Sequence, residues 1–120
     1  MDIEKFTAKM QEAIQKASQL ALSYKHQVIE IEHVLYVLLN DSSGIFPRVL
    51  SKLNKDKNHF IQVLEQRLQQ KPTLENIDVN SLRISYSLND LLAKANNQMT
   101  SFKDEYMSVE HVIMALFEIN

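Results

Sequence analysis

The run Glu32-His33-Val34, with Leu38 four residues on, returns as Glu110-His111-Val112 with Leu116, and both copies open an apolar helical stretch. Sliding the chain over itself by 78 positions, Glu32 onto Glu110, holds the match without a gap from Phe6 against Ile84 to Asn40 against Glu118. Within that window Lys16/Lys94, Ala17/Ala95, Ser23/Ser101 and Lys25/Lys103 are identical. Met10/Leu88, Ile14/Leu92, Tyr24/Phe102, Val28/Tyr106, Ile29/Met107 and Ile31/Val109 stay apolar. A fixed-period match of this kind means a duplicated supersecondary unit whose copies bury their apolar faces against each other. Such an arrangement points to a docking surface before an active site.

At 120 residues the chain makes one domain with room for a core, and 45% hydrophobic with 23% charged residues is the balance of an ordered globular protein. No apolar run reaches the roughly 18–20 residues of a membrane span, and the start, Met1-Asp2-Ile3-Glu4-Lys5, is unlike a secretory signal, so a cytoplasmic location is expected. The absence of cysteine removes disulfides, thiolate catalysis and cysteine-ligated zinc. A net charge of −2 with both signs interspersed offers no basic stripe for a phosphate backbone, which argues against nucleic acid. The single glycine, Gly44, cannot build a P-loop or a dinucleotide fingerprint, so no nucleotide cofactor is expected here.

Scarce glycine and proline favour helix throughout, and the spacing predicts an all-α module of about six helices with pseudo-twofold symmetry. Repeat one is expected over residues 1–70, an exposed loop over 71–84 and a truncated repeat two over 85–120. Phe6, Met10, Ala13, Ile14, Ala17, Leu20 and Ala21 mark the buried stripe of a long first helix, whose alanines let a second helix approach closely. A connection over residues 24–30 leads to a second helix over 31–39, stopped at residues 40–44. Pro47 suits the first turn of a third helix with Val49, Leu50 and Leu53 on its apolar face, and Asp56 caps a fourth bearing Phe60, Ile61, Val63, Leu64 and Leu68. Ser87 with Asp90 reads as a capping box opening the second copy, and Ser108 as the cap of the last helix. Repeat two lacks any counterpart of helices three and four, which suggests a fragment of something longer or a domain that has lost its last helical pair, in either case with an apolar face seeking a partner.

Several motifs carry a family resemblance: Met1-Asp2-Ile3-Glu4-Lys5-Phe6-Thr7, Gln19-Leu20-Ala21-Leu22-Ser23, Ile31-Glu32-His33-Val34-Leu35, and the stretch from Lys103 through Tyr106-Met107-Ser108 to Val112. In order and in duplication they resemble the N-terminal domain of the Clp/Hsp100 AAA+ unfoldases, most closely that of the ClpB-type disaggregases. The resemblance implies a non-catalytic substrate-handling appendage of a hexameric ATP-driven ring, with ATP and Mg bound by modules absent from this sequence. Its partners would be unfolded or aggregated proteins, captured through exposed apolar segments. It also implies a peptide groove in the second half, with Leu92 and His111 in its wall and Asp104, Glu110 and Thr7 as polar neighbours. The family commonly carries leucine or isoleucine at the position of His111, and histidine makes that wall less apolar and more pH-sensitive.

In the related ClpC-type domains the glutamates matching Glu32 and Glu110 take part in recognising arginine-phosphate marks. Without any ligand, a carboxylate in the first turn of a helix is favoured by the helix dipole at roughly 0.3–1 kcal/mol, which suffices to explain an acid at each position. His33 and His111 lack the second histidine of a zinc helix, so a structural role bonded to the neighbouring turn is expected and no metal site. His26 and His59 read as solvent-facing, and Leu92, Met99, Tyr106 and Met107 as core. Thr7 is equally a helix cap or a groove residue. A further reading is a structural module, monomeric or weakly dimeric, that associates through its truncated end.

Overall fold

The structure, a computed structural model, describes residues 3–118. Its α-helices are α1 (Ala8–Ser23), α2 (Ile31–Leu39), α3 (Ile45–Lys52), α4 (Lys57–Gln69), α5 (Tyr86–Ser101) and α6 (Val109–Glu118). Two short 3-10 turns and a pair of two-residue strands, β1 (Val28–Ile29) and β2 (Arg83–Ile84), complete the described chain. The fold is all-α, as the spacing predicts.

The duplication is written into helix ends as much as helix faces. Thr7 caps α1, its hydroxyl accepting from the Met10 amide at 3.2 Å, and Ser85 caps α5 by accepting from Leu88 at 3.0 Å. The predicted cap at Ser87 is therefore displaced by two residues: Ser85 is the position that matches Thr7, and Ser87 and Asp90 lie exposed inside the helix. Because Thr7 ends the extended entry, Phe6 sits outside α1 and is buried in the seam instead of on the helical stripe. At the other end, Lys25 and Lys103 both adopt φ of 60°, each just past its helix. His26 donates its amide to the Ala21 carbonyl (2.8 Å) and Lys25 to Leu22 (3.0 Å); Asp104 to Met99 and Lys103 to Thr100 repeat this at 3.0 Å. These are paired six-to-one and five-to-two closures that satisfy the last carbonyls of each long helix.

Between the copies the backbone makes a reciprocal exchange. β1 runs parallel to β2 with Ile29 opposite Ile84, and the equivalents of those two residues, Met107 and Phe6, form a second parallel bridge. The Ser85 amide donates to Ile29 (3.0 Å) while the Thr7 amide donates to Met107 (2.9 Å), so each copy's cap is tied to the other copy's turn. This pairing, which the hydrophobic period alone left open, fixes the pseudo-twofold.

Helix faces then close the core. Met10/Leu88, Ile14/Leu92, Ala17/Ala95, Ile29/Met107 and Val34/Val112 are buried in both members. α1 packs on α2 and α5 on α6, while α4 lies against α2 and α3 bridges α2 and α6. Asp56 caps α4 through the Asn58 amide (3.0 Å), as its sequence suggests. Three expectations change. The buried pair on α3 is Phe46 and Leu50, because Leu53 falls at the helix end and stays exposed. Tyr106 is exposed beside its buried neighbour Met107, since successive residues of an extended segment face opposite sides. His26, expected in solvent, is buried against His33. The segment between α4 and α5 is mostly exposed but tethered: Leu74 donates to the Lys25 carbonyl at 3.0 Å, and the Gln27 amide group bonds both the carbonyl and the amide of Asp78 (3.0 and 3.2 Å).

The left-handed lysines cost conformational energy that glycine would not. Lys25→Gly and Lys103→Gly should each raise stability by about 0.5–1 kcal/mol, and near-additively because they cap different helices. Urea unfolding of the two single variants and the double variant measures this; a destabilised double variant would contradict the shared cap geometry.

Candidate peptide-binding clefts

The Phe6–Met107 bridge is a ridge with a cleft on either side. On one side a hollow of about 240 Å³ is lined by Lys5, Phe6, Asn89, Leu92, Ala93, Asn96 and Met107. Its floor is the same hydrophobic set that closes the core, since Phe6, Leu92 and Met107 are each buried yet reach its wall. Its rim is Lys5, Asn89 and Asn96, all exposed. Below the roughly 300–1,000 Å³ usual for small-molecule sites, it has the scale of a socket for one large apolar side chain.

On the other side lies a broader cleft of about 670 Å³, running along α1 to the α2–α3 turn and the start of α6. Thr7 and Glu110 both line it, with Ala13, Val37, Leu38 and Val109 among its apolar contributors. Its charges are balanced: Lys9, Lys16 and Arg48 against Glu12, Asp41 and Glu110. Lys16 bonds Glu12 at 2.8 Å and holds that carboxyl below its usual range. Asp41 is likewise held down, first by the Ser43 hydroxyl bond at 2.9 Å. Tyr36 is pushed up by burial and then by Glu65. Thr7 thus caps α1 and also lines this cleft.

The twofold counterpart of this broad cleft is a groove of about 580 Å³ over α2, α3, α4 and the end of α6. Glu32, Ile31, Ser87 and Leu116 stand in it where Glu110, Val109, Lys9 and Leu38 stand in the other. The two glutamates nevertheless differ in state. Glu32 is half-buried, with Lys71 Nζ at 3.3 Å and Arg67 Nη1 at 3.9 Å, and Lys71 also reaches Glu30 at 3.9 Å. Glu110 is exposed. The sequence gives no sign of Lys71 or Arg67, because the pairing arises from α4 folding back over α2, a contact between distant segments.

The remaining site candidates form a pair. His111 Nε2 lies 2.8 Å from Asp104 Oδ2, and its Nδ1 accepts the Ser108 amide at 2.9 Å. His111 is buried and lines none of these three clefts, and its bonds to Ser108 and Asp104 steady the turn before α6. Asp104 is exposed and serves the same turn. Thr7 and Glu110 therefore share one cleft, Leu92 occupies another across the ridge, Glu32 a third, and Asp104 with His111 stand apart. His59 is exposed. Among the described residues no three His, Cys, Asp or Glu side chains gather to hold a metal ion, and no helix is long and apolar enough to cross a membrane.

The family model of the Clp repeat (R) N-terminal domain matches residues 5–120. Among curated proteins, the chaperone protein ClpB of Bacillus anthracis is 35% identical over 120 residues, and that of Nitratidesulfovibrio vulgaris 34%; each match covers 98% of this chain. The chain spans 14% of the length of those relatives. In shape it is similar to the N-terminal domain of the ClpV1 ATPase from E. coli, with a TM-score of 0.84 and 24% identity over 97% of this chain and 69% of that one. The Hsp104 N-terminal domain from Candida albicans gives 0.79 and 22% over 95% and 74%. A complex of the ClpV N-domain with a VipB peptide gives 0.80 and 19% over 94% and 68%. The duplicated Glu-His-Val helices, the reciprocal seam and these matches agree: the chain belongs to the Clp repeat N-terminal domain family, a non-catalytic binding domain with the ATPase modules of its chaperones outside this sequence.

Proposed function

We propose that this domain captures exposed apolar segments of unfolded or aggregated proteins for a ClpB-type disaggregase ring, and that the Leu92 cleft takes the anchoring side chain. The observation that carries this reading is the open floor of Phe6, Leu92 and Met107 at the seam, rimmed by amide and lysine groups. An apolar side chain entering it loses water at about 25 cal/mol per Å² of buried surface, while the rim can hydrogen-bond an extended backbone. Met107 suits this task because its thioether repacks around differently shaped guests. The broad cleft beside the ridge, with Thr7 and Glu110, extends the contact toward polar flanking residues. A ClpV N-domain in complex with a VipB peptide is a structural relative in which such a module holds a peptide, which supports the same role here.

A second reading has an observation of its own. Glu32 and Glu110 occupy twofold-related clefts, as two matching receptors for a guanidinium-bearing mark such as arginine phosphate would. The cations at Glu32 make its site costlier to enter with a bare guanidinium, whereas Lys71 and Arg67 suit the phosphate of a phosphoarginine. Titrating phosphoarginine while following backbone amides by NMR should leave the starts of α2 and α6 unmoved if apolar capture is the function. Shifts clustered at both starts would favour the second reading.

For the leading reading, Ala93→Trp fills the cleft from an exposed rim position and should weaken binding of an unfolded, carboxymethylated model protein about tenfold, or ~1.4 kcal/mol, at little cost in stability. Leu92→Ala should weaken binding too, but with about 2–5 kcal/mol lost from the fold, because Leu92 is also core. Fluorescence anisotropy with urea melts separates the two effects; unchanged binding by Ala93→Trp would remove this cleft from the function.

A further inference from the structure

The pseudo-twofold sets His26 against Asp104 and His33 against His111, and in each copy the helix-start histidine bonds the residue seven positions earlier at 2.8 Å. In copy two the partner is a carboxylate; in copy one it is a second imidazole. The Glu30 amide donates to His33 Nδ1 at 2.8 Å, so the neutral ring carries its proton on Nε2 and gives it to His26 Nδ1. His26 then keeps its own proton on Nε2, which is buried without a hydrogen-bond partner: the Leu68 carbonyl draws on that proton but does not reach bonding geometry. The chain of donors has no vacancy. A proton added at His33 Nδ1 meets the Glu30 N–H, and one added at His26 Nδ1 meets the His33 N–H, so either breaks a link.

The surroundings do not rescue the charge. Glu30 and Glu32 face the pair from the start of α2, Lys71 and Arg67 come from the end of α4 and beyond it, and Tyr24 stacks on His26 at 5.3 Å. Burial, followed by the neighbouring His26, takes His33 from 6.5 to about 4. Burial and then Lys71 push His26 down as well.

What the pair holds is the anchor of the connector between copies. Leu74 donates to Lys25, Asp78 is clasped by Gln27, Arg83 donates to Gln27 (3.2 Å) and Ser85 to Ile29, all within residues 25–29. We propose that the His26–His33 pair is an acid-operated latch, whose protonation frees residues 24–30 and with them the connector over 71–85, while the other half stays closed because there the Ser108 hydroxyl, 3.0 Å from His111 Nδ1, can accept the hydrogen bond of an added proton and the Asp104 carboxylate balances its charge.

The direction follows from the depressed values. Released imidazoles bind protons more readily than latched ones, so the closed state has its full stability above pH 6.5 and loses it as pH falls toward 4. Comparing pH 7 with pH 5 keeps exposed carboxylates ionised. Amide exchange followed by NMR on the intact chain, corrected for intrinsic exchange rates, should show protection of Leu74, Asp78, Arg83 and Ser85 falling on the order of 20-fold. The Thr7 and Met107 amides, tied at the copy-two turn, should hold theirs. Unchanged protection in the first set, or an equal fall in both, overturns the proposal. His26→Asp gives copy one the chemistry of copy two, and a folded variant should keep its connector protected at pH 5; the same loss as in the wild type would place the sensitivity elsewhere. Should that variant fail to fold, the wild-type comparison decides alone.

Discussion

The register of the two copies is set by backbone hydrogen bonds that exchange partners between them, above all Thr7 to Met107 and Ser85 to Ile29. Each donor is the residue capping a long helix, and each acceptor lies in the turn that follows the other copy's long helix. One bond therefore sets a helix start, a turn and the distance between copies together. Helix packing alone tolerates sliding and rotation, with crossing angles scattering by 15–20°, and it would leave the copies loosely placed. The paired exchange removes that freedom. It also explains why the apolar floor is so small: Phe6 and Met107 are held at ladder spacing by their own backbone, so the hollow beside Leu92 opens where the ladder ends.

Around that seam the two copies diverge in what covers them. Copy one has α3 and α4 laid over α2, and α4 delivers Arg67, with Lys71 just beyond, onto Glu32. The described residues hold no corresponding pair over α6, and Glu110 stays in an open cleft. Identical Glu-His-Val sequences thus sit in different electrostatic settings. The difference comes from α4 and the residues just after it, which lie outside the matched window of residues 6–40, and a sequence comparison of the two copies cannot display it. The groove holding Glu32 is also more apolar, with Leu35, Leu39, Phe46, Leu50 and Leu64 in its lining.

How much of this was legible in the sequence depends on the range of the interaction. The 78-residue period is visible as a direct match, and the helical faces and the caps at Asp56 and Ser108 can be read because each is set by residues within a few positions of one another. Ser87 and Asp90 make a plausible local box that masks the cap of α5, and only alignment with Thr7 selects Ser85. The spacing of Phe6 fits a helix, whereas the bridge to Met107 that claims it spans about a hundred positions. Of the site candidates, Thr7 and Glu110 meet in one cleft, but His111 turns inward because the Ser108 amide and Asp104 occupy both its nitrogens. Lys71, Arg67 and the burial of His26 were invisible for the same reason: they arise where α4 closes over α2.

A duplicated fold also supplies its own control for separating structure from function. Where both copies keep the same residue in the same bond, as with the two histidines that accept the amide before their helix, the fold itself is a sufficient reason for the residue. Where the scaffold is equivalent and the chemistry differs, the fold does not explain the choice. Residue seven before that histidine is such a place, since a carboxylate and an imidazole accept the same hydrogen bond with the same 2.8 Å geometry. The carboxylate does so at an exposed position, where water can reach its other oxygen; the imidazole does so buried, with one nitrogen orphaned. An unpartnered buried donor costs about 1–3 kcal/mol, and the copy-two solution shows that the backbone does not require that cost. A stable domain that carries it in one half has an avoidable weak point, and it lies under the segment that anchors the connector.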